Sequence, residues 1–184
     1  KLLVRRYLLI EDEEMFTVEI KAKCQDLSMI KAILEKEGGI FLGQEEQTDI
    51  YFKITKGRLK LRKGAKQSYL IYYKREDLQE IRPSHFELYP TATPAKLEKV
   101  LRAAFEVLVE VKKIREVVWI QNIKFNLDNV EGLGTFIEIE AMTETPHEFA
   151  ELKEKVQTFI EKFAIKKEEI QSYSYSDLLL QRIN

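Results

Sequence analysis

The segment RLKLR, Arg58 to Arg62, alternates three cations with two leucines. Successive side chains of a β-strand point to opposite faces, so Arg58, Lys60 and Arg62 share one face and Leu59 and Leu61 the other. The same period of two recurs along most of the chain. TVEIK groups Thr17, Glu19 and Lys21, and QTDIYFKI separates Asp49, Tyr51 and Lys53 from Ile50, Phe52 and Ile54. VKKIREV aligns Lys113 with Arg115, IKFNLD aligns Lys124, Asn126 and Asp128, and FIEIE aligns Glu138 with Glu140. In YLIYYKR, Lys74 falls on the face of Leu70 and Tyr72. A chain patterned in this way builds sheets in which one face of nearly every strand is ionisable.

Helix signals interrupt these strands at only a few places. Asp26 or Ser28 can cap SMIKAILEKEGG, which the pair Gly38-Gly39 ends. Pro94 stands near the first turn of PAKLEKVLRAAFEVL, and PHEFAELKEKVQTFIEKF carries Phe149, Leu152, Val156, Phe159, Ile160 and Phe163 along one stripe. Ser176 caps a last short helix, DLLLQR. IRPSHFELY reads as extended because Pro83 disfavours helix before it. The count is about eight strands, so pairing between chain neighbours in an antiparallel barrel or sandwich is expected. A doubly wound parallel sheet needs a helix after nearly every strand and is the weaker reading.

The 184 residues, 45% of them hydrophobic, suffice for one domain spanning 1–184, and no Gly/Ser-rich or Pro-rich linker divides them. Thirty Lys and Arg nearly cancel 31 Asp and Glu. A generic nucleic-acid binder is more basic, so no nucleic-acid partner is expected, and any basic site must be a local concentration. KLLVRRYLLI, with Arg5 and Arg6 inside it, is too short and interrupted to span a membrane and reads as a strand or terminal extension. The single cysteine, Cys24, forms no internal disulfide and fits a reducing compartment, so a cytoplasmic location without a membrane partner is expected. His85 and His147 lack zinc-ligand spacing and read as surface residues; Trp119, Tyr72 and Tyr73 are assigned to packing.

Taken one strand at a time, the charged faces are explained by ordinary solvated sheet surface. Taken together they are not, because RLKLR is purely cationic and EIE purely anionic, and like charges so close repel unless something of opposite sign lies between them. A barrel lined by cations for a polyanion, with carboxylates for a divalent metal at one side, resolves both repulsions. Glu19, Glu138 and Glu140 are hard oxygen ligands suited to Mg²⁺ or Mn²⁺, which bridge phosphate oxygens. Arginine and lysine supply the complementary contacts to phosphate, and the ligand implied is a triphosphate.

The segments TVEIKAK, QTDIYF, RLKLR, LIYYKR, VKKIREV, LDNVEGLGTFIEIE and SYSYSDLLL resemble, in this order, the CYTH family of triphosphate tunnel metalloenzymes, and most closely its class IV adenylyl cyclase-like branch. The resemblance implies an α+β fold, a closed eight-stranded antiparallel β-barrel with helices packed outside and the charged faces turned inward. It implies that Glu19, Asp128, Glu138 and Glu140 hold or orient Mg²⁺ or Mn²⁺. Lys21, Arg62, Lys74, Lys113 and Arg115 match phosphate-binding positions, with Arg58, Lys60, Arg82 and Lys124 adding positive lining. Lys21, Lys74, Lys113, Arg115 and Asp128 are the catalytic candidates. The implied reaction is conversion of ATP to cyclic AMP and pyrophosphate; thiamine triphosphatase, tripolyphosphatase and a non-catalytic nucleotide or polyphosphate binder are the alternatives, and a homodimer is compatible with all of them. One departure stands out: the family signature Glu-x-Glu-x-Lys reads Thr17-Val18-Glu19-Ile20-Lys21 here.

Overall fold

The alternating segments become the strands β1 (Phe16–Lys23), β2 (Ile40–Phe52), β3 (Arg58–Gly64), β4 (Tyr69–Lys74), β5 (Arg82–Pro90), β6 (Val107–Ile120), β7 (Ile123–Val130) and β8 (Gly134–Thr143). Among them run the helices α1 (Leu27–Lys36), α2 (Pro94–Ala104), α3 (Phe149–Lys162) and α4 (Tyr175–Ile183). The computed structural model describes residues 16–74, 82–143 and 146–183, and the expected strand in KLLVRRYLLI lies outside them. Each neighbouring pair is antiparallel, and the ring closes in the order β1-β5-β4-β3-β2-β6-β7-β8. The expected closed barrel is therefore present, with a short seam of three residue pairs between β1 and β5.

Local chemistry explains most element ends. The Asp26 side chain accepts hydrogen bonds from the backbone N–H groups of Ser28 and Met29 and so caps α1. At α4 the cap is Ser174 rather than the expected Ser176: the Asp177 carboxylate accepts from the Ser174 backbone N–H at 2.9 Å, while the Ser174 hydroxyl accepts from the Asp177 N–H at 3.2 Å. Strand β2 begins seven residues earlier than QTDIYFKI suggests, because Gly43 adopts φ +84° and a bulge between Phe41 and Gln44 absorbs the irregularity. Helix α2 stops at Ala104, where Phe105 turns extended and leads into β6, so Val107 and Leu108 at the end of the expected helix belong to the next strand.

Apolar burial lies chiefly outside the barrel wall. Val18, Ile20, Phe125, Leu127, Ile137 and Ile139, all on the outer face of β1, β7 and β8, pack under Ile30 and Leu34 of α1 and Leu152, Val156, Phe159 and Ile160 of α3. On the other side Ile50, Phe52 and Leu61 meet Leu101 of α2. With the outer faces committed to helices, the charged faces have only the barrel interior left. Leu34 is fully buried. Leu34→Ala is expected to lower unfolding free energy by about 2–5 kcal/mol in a urea titration, whereas Val100→Ala, on the exposed face of α2, should change it by less than about 0.5 kcal/mol.

Candidate functional site

Strand register decides which side chains share the interior. Arg58, Lys60 and Arg62 of β3 stand opposite Tyr73, Ile71 and Tyr69 of β4, and Arg62 and Lys60 also stand opposite Asp49 and Tyr51 of β2. On the far wall Arg115 faces Asp128, Asn126 faces Glu138, Lys124 faces Glu140, Lys21 faces Glu138 and Glu19 faces Glu140. The cations expected on one side and the carboxylates expected on the other are in fact interleaved. Burial forces this arrangement, since an ionised group removed from water is tolerated only when paired and hydrogen-bonded.

One cluster centres on Asp49, which is 1% exposed. Its Oδ1 accepts from Arg62 Nε at 2.7 Å; its Oδ2 accepts from Arg62 Nη2 at 2.8 Å, Lys113 Nζ at 2.9 Å and Lys60 Nζ at 3.0 Å. Burial by itself raises the Asp49 carboxyl pKa, but Arg62, Lys113 and Lys60 hold it well below the usual carboxylate range. Lys60 Nζ also lies 5.3 Å and 5.5 Å from the ring centroids of Tyr51 and Tyr73.

A second cluster centres on Arg115. Its guanidinium donates to Asp128 Oδ1 at 2.6 Å and Oδ2 at 2.5 Å, and to Glu138 Oε2 at 2.6 Å. Glu138 Oε1 meets Lys21 Nζ at 2.9 Å, and that ammonium lies 4.0 Å from the centroid of the Tyr175 ring. The Tyr175 hydroxyl donates to Asp128 Oδ2 at 2.8 Å. Burial, with Asp128 and Glu138 close by, keeps the tyrosine proton on well above the ordinary range. Tyr175 thus ties α4 to the tunnel, where it packs among Tyr51, Tyr73, Val111, Val130 and Phe136. A further tie joins Arg58 Nη2 to Asp177 Oδ2 at 2.8 Å.

Most of the expected site residues converge. Lys21, Arg58, Lys60, Arg62, Lys113, Arg115, Lys124, Glu19, Asp128, Glu138 and Glu140 all fall on the inner register. Lys74 does not. It follows Leu70 and Tyr72 onto the outer face of β4, is exposed, and lies 6.0 Å from the Tyr72 ring, so its expected contact with phosphate is corrected by strand alternation. The backbone of Arg82 stands opposite Glu19, and its side chain, like that of His85, is outside the described residues. His147 is exposed and Trp119 buried, as expected. The sequence reading missed Asp49, Asn126 and Tyr175 as site residues. Asp49 sits two positions before Tyr51 on the same polar face, a signal that was present; nothing in sequence spacing connects residue 175 to residue 128.

The candidate metal ligands suit a hard divalent cation in their chemistry. Glu19 and Glu140 are directly opposed across β1 and β8, with Glu138 two residues on, and such like-charge pairs call for positive charge nearby. Asn126 is fully buried; its Nδ2 donates to Glu140 Oε1 at 2.9 Å, while its Oδ1 has no hydrogen-bond partner. An orphaned carbonyl oxygen beside carboxylates suits a cation. Yet the carboxylates are turned elsewhere: Glu138 to Lys21 and Arg115, Glu140 to Lys124 at 2.9 Å and to Asn126. Among the described residues no three acidic, histidine or cysteine groups converge as one metal site. Asp128, held by Arg115 and Tyr175, is suited to orienting a cation rather than to binding metal itself. Thr17, 2% exposed on the same face of β1 as Glu19, brings a hydroxyl and no charge.

Lys113 gives the site a measurable signature. Burial pushes its ammonium down to about 7, and Arg62 and Arg115 push the same way against the opposing pull of Asp49 and Asp128. The unfolded chain, with an ordinary lysine, therefore binds more protons than the native state between about pH 7 and the ordinary lysine range near 10.4. Wild-type stability relative to Lys113→Met is expected to rise with pH across that window, by up to about 1.4 kcal/mol per pH unit. Urea titrations of both proteins at pH 6, 7, 8 and 9 check this, and a difference that stays constant or falls contradicts it.

The chain matches known proteins along most of its length. A CYTH domain model matches residues 15–175. "Putative adenylate cyclase MJ0240" of Methanocaldococcus jannaschii is 27% identical over 173 residues, covering 89% of this chain and 98% of that protein. The solved structure of the PH1012 protein from Pyrococcus horikoshii is 28% identical, with a TM-score of 0.75 over 88% of this chain and 98% of its own. The solved structure of a putative adenylate cyclase from Vibrio parahaemolyticus shares the fold at TM-score 0.79 and 18% identity, over 91% and 99% of the two chains. With a family model covering nearly all of the barrel and the charged tunnel in place, the chain belongs to the CYTH domain family.

Proposed function

We propose that this protein is a metal-dependent enzyme that grips a triphosphate inside the barrel and, with ATP, forms cyclic AMP and pyrophosphate. The observation that carries the reading is the convergence of Lys60, Arg62 and Lys113 within 3.0 Å of a single buried carboxylate, which supports an interior suited to a polyanion. Lys21 and Arg115 extend the cationic surface along the wall toward Glu138. Phosphoryl and nucleotidyl transfer depend on positioning and charge neutralisation more than on covalent chemistry from the protein. The cations orient the phosphates, and Tyr175 and Asp128 hold Arg115 in place. When bound at Glu19, Glu138 and Glu140, Mg²⁺ or Mn²⁺ supplies neutralising charge for phosphate oxygens. In the cyclase reaction the ribose 3′-hydroxyl displaces pyrophosphate from the α-phosphorus. The branch assignment is supported by the name of the M. jannaschii relative and the fit over 98% of its length.

A second reading rests on a specific observation: Thr17 replaces a carboxylate, and the remaining acids face cations. In that reading the barrel binds nucleotide triphosphate or polyphosphate without turnover. The two are separated by incubating the protein with Mg²⁺ or Mn²⁺ and ATP, thiamine triphosphate or tripolyphosphate, and resolving cyclic AMP, pyrophosphate and phosphate. Cyclic AMP from ATP is the expected product. Phosphate release without cyclic AMP transfers the assignment to a triphosphatase, and tight binding without any product to a binder. Arg62→Ala should weaken tripolyphosphate binding by about 1.5–3 kcal/mol, the loss of charge-assisted hydrogen bonds. Glu138→Gln should lose metal-dependent rate while its circular dichroism spectrum stays that of wild type; wild-type behaviour of both variants would refute the tunnel reading.

A further inference from the structure

We propose that Asp49 is a positioning residue of the phosphate clamp: a resident anion that holds Lys60, Arg62 and Lys113 together as one charged unit before substrate arrives. The inference rests on the triphosphate reading above and adds to it a residue whose charge is opposite to what an anion site is expected to contain.

The geometry argues for positioning rather than for blockade. Asp49 takes the Nε–Nη2 edge of Arg62 and one proton from each lysine. A guanidinium has five N–H donors and an ammonium three, so the other edge of Arg62 and protons on both lysines remain to meet a phosphoryl group. The cluster keeps net positive charge with its anion in place. Without Asp49, three cations would be confined in a wall where Lys113 is 4% exposed and Asp49 itself 1%, and a lysine so placed sheds its proton or swings away.

The surroundings define who else acts on the cluster. Lys60 and Arg62 come from β3, Lys113 from β6, and Gln47 and Tyr51 flank Asp49 on β2, with Glu45 beyond Gln47. Arg115 lies two residues along β6, with Asp128 on β7 and Glu138 on β8 acting through space. Arg62 and Arg115 both oppose the charge on Lys113, and Asp49 is the largest influence in its favour. A carboxylate that preserves this charge has a consequence that a purely structural residue lacks: its removal makes ligand binding more dependent on pH.

The test is calorimetric titration of tripolyphosphate, with chelator present and no metal, into wild type and Asp49→Asn at pH 6, 7 and 8. The ratio of variant to wild-type Kd cancels the titration of the ligand itself. With wild-type Lys113 near 7, that ratio is expected to grow from pH 6 to pH 8 by about fivefold for a one-unit fall in the Lys113 pKa, and toward about tenfold for a larger fall. A ratio that is constant with pH, or below one throughout, overturns the proposal, the latter making Asp49 a competitor of substrate. If Asp49→Asn alone does not fold, Asp49→Asn combined with Lys60→Met removes one charge of each sign, and the same growth is expected relative to Lys60→Met. Wild-type protein that binds no tripolyphosphate at any pH overturns the triphosphate reading together with the role of Asp49, whereas binding with a flat ratio overturns Asp49 alone.

Discussion

The rest of the structure depends on the pairing of buried charge across the barrel. Asp49 gathers three cations, Arg115 gathers two carboxylates, and Glu140 is held between Lys124 and Asn126. Most of these contacts join consecutive strands, Asp49 to Lys113 joins β2 to β6 across 64 residues of sequence, and each group makes the next one tolerable. Replacing such a network with aliphatic side chains costs little in principle and is often stabilising. Its presence through most of the interior fits the proposed use of the charge in binding, and once the charges are buried their pairing is what the fold requires.

Stability is placed on the opposite side of the wall. The aliphatic faces of β1, β7 and β8 beneath α1 and α3, and of β2 and β3 beneath α2, form two apolar layers outside the barrel. This division leaves the interior free to be polar, which a barrel with its core inside could not be. Helix α4 is the exception. Its Tyr175 enters the interior, joins an apolar group with Tyr51, Tyr73 and Phe136, and reaches the ion network through its hydroxyl.

The clamp in this state is satisfied by the protein itself. Lys60, Arg62 and Lys113 share Asp49; Lys21 and Arg115 share Glu138. At Asp49 an incoming polyphosphate meets the donors that the carboxylate leaves over, while at Glu138 it exchanges one set of charge-assisted hydrogen bonds for another. The same holds for a cation approaching Glu138 and Glu140. At Glu138 ligands of both signs compete with internal partners, so each favours entry of the other: a polyanion that draws off Lys21 and Arg115 releases carboxylate oxygens.

The period-two pattern by itself determined that RLKLR, TVEIK, VKKIREV and FIEIE are strands with one charged face, because alternation is a local property of extended backbone. It also determined that Lys74 lies on the face of Leu70, which outweighed its position in the family pattern. Asp26 as a cap and Pro94 at a helix start were legible for the same local reason. What no local rule contains is which way a charged face points. The inward turn was fixed when helices α1, α2 and α3 covered the aliphatic faces, and the pairing of Asp49 with Lys113, or of Tyr175 with Asp128, exists only because ring closure sets β2 beside β6 and brings α4 against the barrel. Sequence supplied the charges, and only the tertiary structure decided which of them neutralise one another, since the low polarity of a closed interior makes every buried charge depend on its neighbours.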